Sequence, residues 1–274
     1  MINTTKIKRT IAVLAALFVG GYTVLDSVGI INDPLNIKDV ISNDGSTAKK
    51  NNAVNVTDYS NTAITYNGEN IPQFDGSTDA YILNDNTPFF VTDDFTMPLD
   101  TVEFSQLDEY GRAGVANGML SEKTMQTHER GSISDIHPSG WWEAKNSDVN
   151  VNRSHLIGNN LAGDQTDCEE NMITGSRQLN AGGTYDGSML VYENQIADYM
   201  ETSVNHVRYR VTPVFEGNDA ACHGVVMEAE SVEDNGAGIK FCVYIYNIQE
   251  GYVCDYQTGT WGKITVPELT EDAK

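Results

Sequence analysis

The clearest alternation of apolar and polar positions runs from His206 to Phe215. Val207, Tyr209 and Val211 alternate there with Arg208, Arg210 and Thr212, a period of two that predicts a half-buried strand. "HGVVMEAES" and "IKFCVYIYNI" predict two more strands, and Asn235-Gly236 between them is a hairpin-turn signal. The period lengthens upstream. In "LVYENQIADYMETS", Leu190, Ile196, Tyr199 and Met200 recur at helical spacing. Further back, Val149 and Val151 alternate with Asn150 and Asn152 in a strand that runs into His155. A short pair of strands is predicted around "QEG", with "YVCDYQTG" returning beside its predecessor. These elements predict an α+β domain, an antiparallel sheet with one or two helices packed on it.

The pattern breaks down toward the N-terminus. Lys6, Lys8 and Arg9 precede an uncharged run from Thr10 to Leu25. Cations ahead of an apolar stretch make an export signal, and this run is short for a membrane-spanning helix. Residues 1–31 therefore read as a signal peptide or signal anchor, and both remain open. Residues 32–70 are rich in Asn, Asp, Ser and Thr and poor in large apolar side chains. That is the composition of a disordered polar spacer. Residues 71–274 remain for the folded domain, which is long enough to bury a core.

Charge and cysteine content alter this picture. The 274-residue chain carries a formal net charge of -22, which opposes a broad basic surface for nucleic acid. A polyanionic substrate would need local cations, and Arg112, Arg130, Lys145, Arg153 and Arg177 lie in the central third. Export would expose Cys168, Cys222, Cys242 and Cys254 to oxidising conditions. Four cysteines allow three full pairings. Cys242 and Cys254 are the favoured pair, because they flank the turn "NIQEG" on strands read as adjacent. The absence of any C-x-x-C pair disfavours a zinc site.

The candidate chemistry gathers around "NRSHLIGNNLAGD" and "DCEENMITGSRQLN". A histidine at a strand end can act as a general base, because its ordinary pKa lies near neutrality. Phosphodiester hydrolysis also needs a cation, and an amide oxygen is a hard ligand suited to Mg²⁺. His155 with nearby Asn and Arg residues meets those needs, although Asn and Arg are common in loops.

The two segments "NRSHLI" (152–157) and "NMITGSRQLN" (171–180) resemble the paired motifs of the DNA/RNA non-specific endonucleases, in the branch found in secreted bacterial nucleases. Accessory blocks such as "QLDEYGRAGVA", "HPSGWW" and "CDYQTG" extend the resemblance over about residues 70–260. The resemblance implies a ββα-metal (His-Me finger) motif and hydrolysis of DNA, with RNA as a second candidate substrate, to 5′-phosphate products. It implies His155 as general base and Asn180 as the one direct protein ligand to Mg²⁺, with Mn²⁺ able to substitute. Asn171 would position the base or the substrate. Arg153 and Arg177 would meet phosphate, and Glu193 would order the metal's water shell. Asn152 departs from the family, where many members have Asp. Membrane contact would come only through an uncleaved N-terminal segment.

Each assignment has a plainer alternative. Asn180 could cap a helix or fill a turn. Asn171 could be structural, Arg153 a surface ion-pair partner and Glu193 an ordinary helix-surface residue. Trp141 and Trp142 could stack on bases, but core anchoring is the expected role. The other four histidines read as non-catalytic. The alternatives to an active nuclease are a silent binding module of the same fold and a nuclease toxin with a cognate inhibitor.

Overall fold

The computed structural model describes residues 64–74, 80–129, 131–182 and 187–264. The segment read as an export signal lies outside these residues, as does most of the spacer. Among the described residues, no helix is long and apolar enough to cross a membrane.

The chain begins with strands β1 (Ile64–Tyr66), β2 (Glu69–Ile71) and β3 (Ala80–Ile82), then β4 (Thr101–Phe104) and β5 (Ala116–Leu120). A short helix, α1 (Trp141–Lys145), precedes β6 (Val151–His155). A single turn, α2 (Asn159–Ala162), then leads to β7 (Met172–Ser176) and α3 (Arg177–Ala181). The long helix α4 (Met189–Thr202) is followed by β8 (Val207–Val214), β9 (Gly224–Ser231), β10 (Lys240–Tyr246), β11 (Tyr252–Asp255) and β12 (Thr260–Lys263). The main sheet has the order β3-β10-β9-β8-β5-β4, and every neighbouring pair is antiparallel.

The strand alternation sorts side chains onto two faces. Val207, Tyr209 and Val211 of β8, Val225 and Met227 of β9, and Val243 and Ile245 of β10 form one core. Helix α4 covers it with Met189, Ile196 and Met200, and the segment after β6 adds Leu156, Ile157 and Leu161. The site is thus seated directly on the main core. The opposite face packs Val226, Cys242 and Tyr244 beneath Ile71 and Leu83.

This second face differs from the half-buried expectation. Arg208 is 3% exposed. Its guanidinium donates to the Asp94 and Gly118 carbonyls and to Asn117 Oδ1. Arg210 meets Glu228 at 2.9 Å and Asp94 at 3.1 Å. Glu228 is itself fully buried and also accepts from the Phe89 N–H and the Tyr66 hydroxyl. The polar stripe of β8 is therefore an internal ion network covered by Tyr66, Phe89, Phe90 and Asp94, and each buried charge has a partner, as low dielectric requires.

Two further expectations change. The β1–β2 hairpin occupies the end of the stretch assigned to the spacer. Asn67 and Gly68 both take positive φ at its turn, the conformation that a two-residue I′ turn requires. All four cysteines are free. The Cys242–Cys254 bridge fails because β11 pairs with β12 and not with β10. Cys242 lies opposite Glu228 in the main sheet, whereas Cys254 lies opposite Trp261 in a separate hairpin and a separate apolar cluster.

Candidate active site

Strands β6 and β7 pair from Val151↔Ser176 to His155↔Met172, and α3 follows β7 without a gap. This is a ββα unit. Ser176 caps α3 by accepting from the Leu179 N–H at 2.9 Å, which fixes where the helix starts. Alternation along β6 puts Val151, Arg153 and His155 on one side of the hairpin.

Behind the hairpin, two side chains hold the backbone that leaves His155. Asn171 is fully buried. Its Oδ1 accepts from the Ile157 N–H, and its Nδ2 donates to the carbonyls of Ile157 and Thr166, all at 2.9 Å. Glu193, from α4, accepts from the Gly158 N–H at 2.8 Å. Gly158 is needed there, because a Cβ would come within 2.6 Å of Glu193 Oε2. Burial without a neighbouring cation pushes the Glu193 carboxyl up to about 8.

In front of the hairpin lies a cavity of about 640 Å³ lined by Arg153, Arg177 and Asn180, with Asn152, Lys145, His137 and Trp142 around them. The Arg153 guanidinium lies 4.0 Å from the centroid of the Trp141 ring. It also donates to the carbonyls of Ile136 and Ser134, so its position is set by neutral groups and its charge is not cancelled. Arg177 is exposed. Asn180 is half-buried, and its amide makes no hydrogen bond to a described residue. An amide side chain lining an open cavity of this size offers an oxygen that suits a cation keeping most of its water shell. Among the described residues, no cluster of three His, Cys, Asp or Glu side chains offers a closed metal cage.

His155 is 8% exposed, and its Nε2 lies 2.9 Å from Asp167 Oδ1. Sequence reasoning did not single out Asp167. The available signal was its place in "GDQTDCEE", on the loop that joins the two motifs. The structure brings Arg153, Arg177 and Asn180 to one cavity, with His155 two residues along β6 from Arg153. It does not bring Asn171 or Glu193 there; both act on the backbone behind. Of the other cations, Lys145 reaches the cavity, while Arg112 pairs with Asp108 and bonds the Gly217 carbonyl. Arg130 lies outside the described residues.

A second hollow, of about 690 Å³, is lined by β1, β2 and the β11–β12 hairpin and holds none of these residues. Its His223 pairs with Asp219 at 2.8 Å and stacks on Tyr256 at 4.0 Å between centroids. That histidine is held within the fold by its carboxylate and its ring neighbour.

The profile of the DNA/RNA non-specific endonuclease family matches residues 98–233, which contain the whole ββα unit and its supports. The chain belongs to this family. Among solved structures, the magnesium-bound NucA of Streptococcus agalactiae aligns with a TM-score of 0.55 at 26% identity, over 67% of this chain and 86% of that one. The metal-free form of the same nuclease aligns at 0.56. The zinc-bound Sda1 nuclease aligns at 0.50 with 28% identity, over 60% of this chain and 80% of that one. No curated protein sequence matches.

Proposed function

We propose that the chain is an exported, divalent-metal-dependent endonuclease that hydrolyses phosphodiester bonds of DNA, with RNA as a second substrate class. The observation that carries this reading is the shared cavity of Arg153, Arg177 and Asn180 beside a strand that ends on His155.

Arg153 and Arg177 bind the phosphate, and Arg153 is pre-positioned by two carbonyls and the Trp141 face. An Nε2–H directed at Asp167 sets the His155 tautomer and places the basic lone pair on Nδ1. His155 then takes the proton of the attacking water, and Asp167 stabilises the imidazolium that results. Asn180 Oδ1 would hold the divalent cation, which when bound neutralises charge on the phosphoryl oxygens. A single neutral oxygen ligand favours Mg²⁺, with Mn²⁺ as a substitute. A family relative was solved with magnesium and another with zinc. Asn171 and Glu193 are positioning residues for the loop after His155. Export is supported by residues 1–31, where cations precede an apolar run.

Purified full-length chain is incubated with supercoiled plasmid and with RNA, in Mg²⁺ or in EDTA. Cleavage in Mg²⁺ that EDTA abolishes is expected. Intact plasmid and RNA in Mg²⁺ would overturn the catalytic reading and leave a binding module. Full-length chain found free in the cytosol on fractionation would overturn export.

A further inference from the structure

Trp141 and Trp142 are consecutive, and the helix turns them apart by about 100°. Trp141 is 4% exposed, packs with Trp261 and Val151, and carries Arg153 on its face. Trp142 is 57% exposed. Its ring stacks on that of His137, with centroids 4.6 Å apart and planes 23° from parallel. Both rings line the cavity that holds Arg153, Arg177 and Asn180. The helix beneath is anchored, because Trp141 and Ala144 pack in one cluster with Val151 and Trp261, and the Trp261 N–H donates to Ser147 Oγ just past the helix. A large, exposed, rigidly mounted aromatic surface therefore borders the place where phosphate binds.

Core packing accounts for Trp141 and leaves Trp142 unexplained. Bases in a duplex already stack on each other, whereas an unpaired base presents a π-face that an indole can cover whatever its sequence. We propose that the His137–Trp142 stack is a platform for an unpaired nucleobase next to the phosphate held at Arg153 and Arg177, so that this site prefers single-stranded or locally opened nucleic acid. This rests on the nuclease reading and adds a strand preference to it. The acidic chain gains affinity there without more positive charge, and the added contact is insensitive to sequence.

The test is binding by full-length His155→Ala chain in Mg²⁺, followed by fluorescence anisotropy. The probes are a 12-nucleotide DNA strand, the same length of abasic strand, and the matching duplex. Adding Trp142→Ala should weaken the intact strand roughly 5- to 100-fold, as expected for loss of one stacked base. The abasic strand and the duplex should change by less than about twofold. Trp142→Phe should recover most of the affinity, and Trp142→Leu, which keeps apolar volume without a π-face, should not. Equal losses on the intact and abasic strands, or none on either, would overturn the platform. If Trp142→Ala alters the circular dichroism spectrum, the Phe and Leu variants decide the question alone. If the parent binds no strand at all, the nuclease reading falls and the platform with it. If the parent binds intact and abasic strands equally tightly, the platform alone falls.

Discussion

Asn171 and Asn180 belong to one motif, nine positions apart, and they serve opposite sides of the ββα unit. Behind the hairpin, Asn171 spends its amide on three backbone hydrogen bonds, and Glu193 adds a fourth one residue further on. In front, Asn180, Arg153 and Arg177 face a cavity and keep capacity for a ligand. The rear is closed and holds the backbone that leaves His155; the front is polar and open. Backbone support and, on the proposed reading, chemistry are therefore divided between two sides of one hairpin, and residue type alone does not tell which side an asparagine serves. Substitutions should separate the two sides.

The largest effect should come from the front. His155→Ala should lower cleavage by about 10²–10⁴-fold, the usual cost of a lost general base, with an unchanged circular dichroism spectrum. Near-normal activity would remove His155 from the mechanism. Asn180→Ala should act through the cation instead. Its activity should collapse at low Mg²⁺ and return in part as Mg²⁺ is raised, and an unchanged Mg²⁺ midpoint would place the ligand elsewhere. At the rear, Asn171→Ala strands three buried backbone groups, so urea denaturation should show a loss of about 2–4 kcal/mol. Unchanged stability with lost activity would move Asn171 to the front and break the comparison.

Glu193 supplies a subtler test. Its folded-state pKa of about 8 lies above the ordinary carboxylate value of 4.5. The fold thus favours the protonated form. That preference stabilises the protein fully below about pH 4.5 and is lost as pH rises through 8. Glu193→Gln keeps an acceptor for the Gly158 N–H but cannot ionise. Thermal melts without divalent cation should show the parent losing about 1–2 kcal/mol relative to the variant between pH 5 and 9, because relaxation and water entry blunt the full burial cost. Parallel pH profiles would mean that the carboxylate is charged and compensated. The smallest effect belongs to Arg177→Ala, which should weaken binding by all strands alike and lower the slope of log affinity against log salt by about 1. An unchanged slope would exclude contact with phosphate.

Much of the fold was legible from local pattern. The strands at 207–214, 224–231 and 240–246 and the helix at 189–202 lie within one or two residues of where periodicity placed them. Asn235 and Gly236 take the positive φ values that their turn chemistry implies. The Asn67-Gly68 turn carried the same signal within a stretch whose polar composition concealed it. The site was legible as motif and only partly as geometry. "NRSHLI" and "NMITGSRQLN" named Arg153, His155, Arg177 and Asn180, which lie on or beside one cavity. They also named Asn171, which the fold turns inward. Asp167 went unnoticed, because a loop carboxylate has no periodicity and its histidine lies twelve positions away.

What the sequence determined by itself are the relations that operate over a few residues: alternation along strands, helical spacing, turn conformation and the order of two motifs around a ββα unit. The tertiary structure decided what each element's second face meets. Arg208 and Arg210 satisfy a strand pattern whether water or protein covers them, and only the approach of Asp94, more than a hundred positions away, made them internal ions. Cys242 and Cys254 lie close along the chain, yet the pairing of β11 with β12 put them in separate clusters. The physical reason is common to these cases. Backbone sterics and side-chain period act locally and can be read from neighbouring residues, whereas burial and partner choice depend on which distant surfaces the folded chain brings into contact.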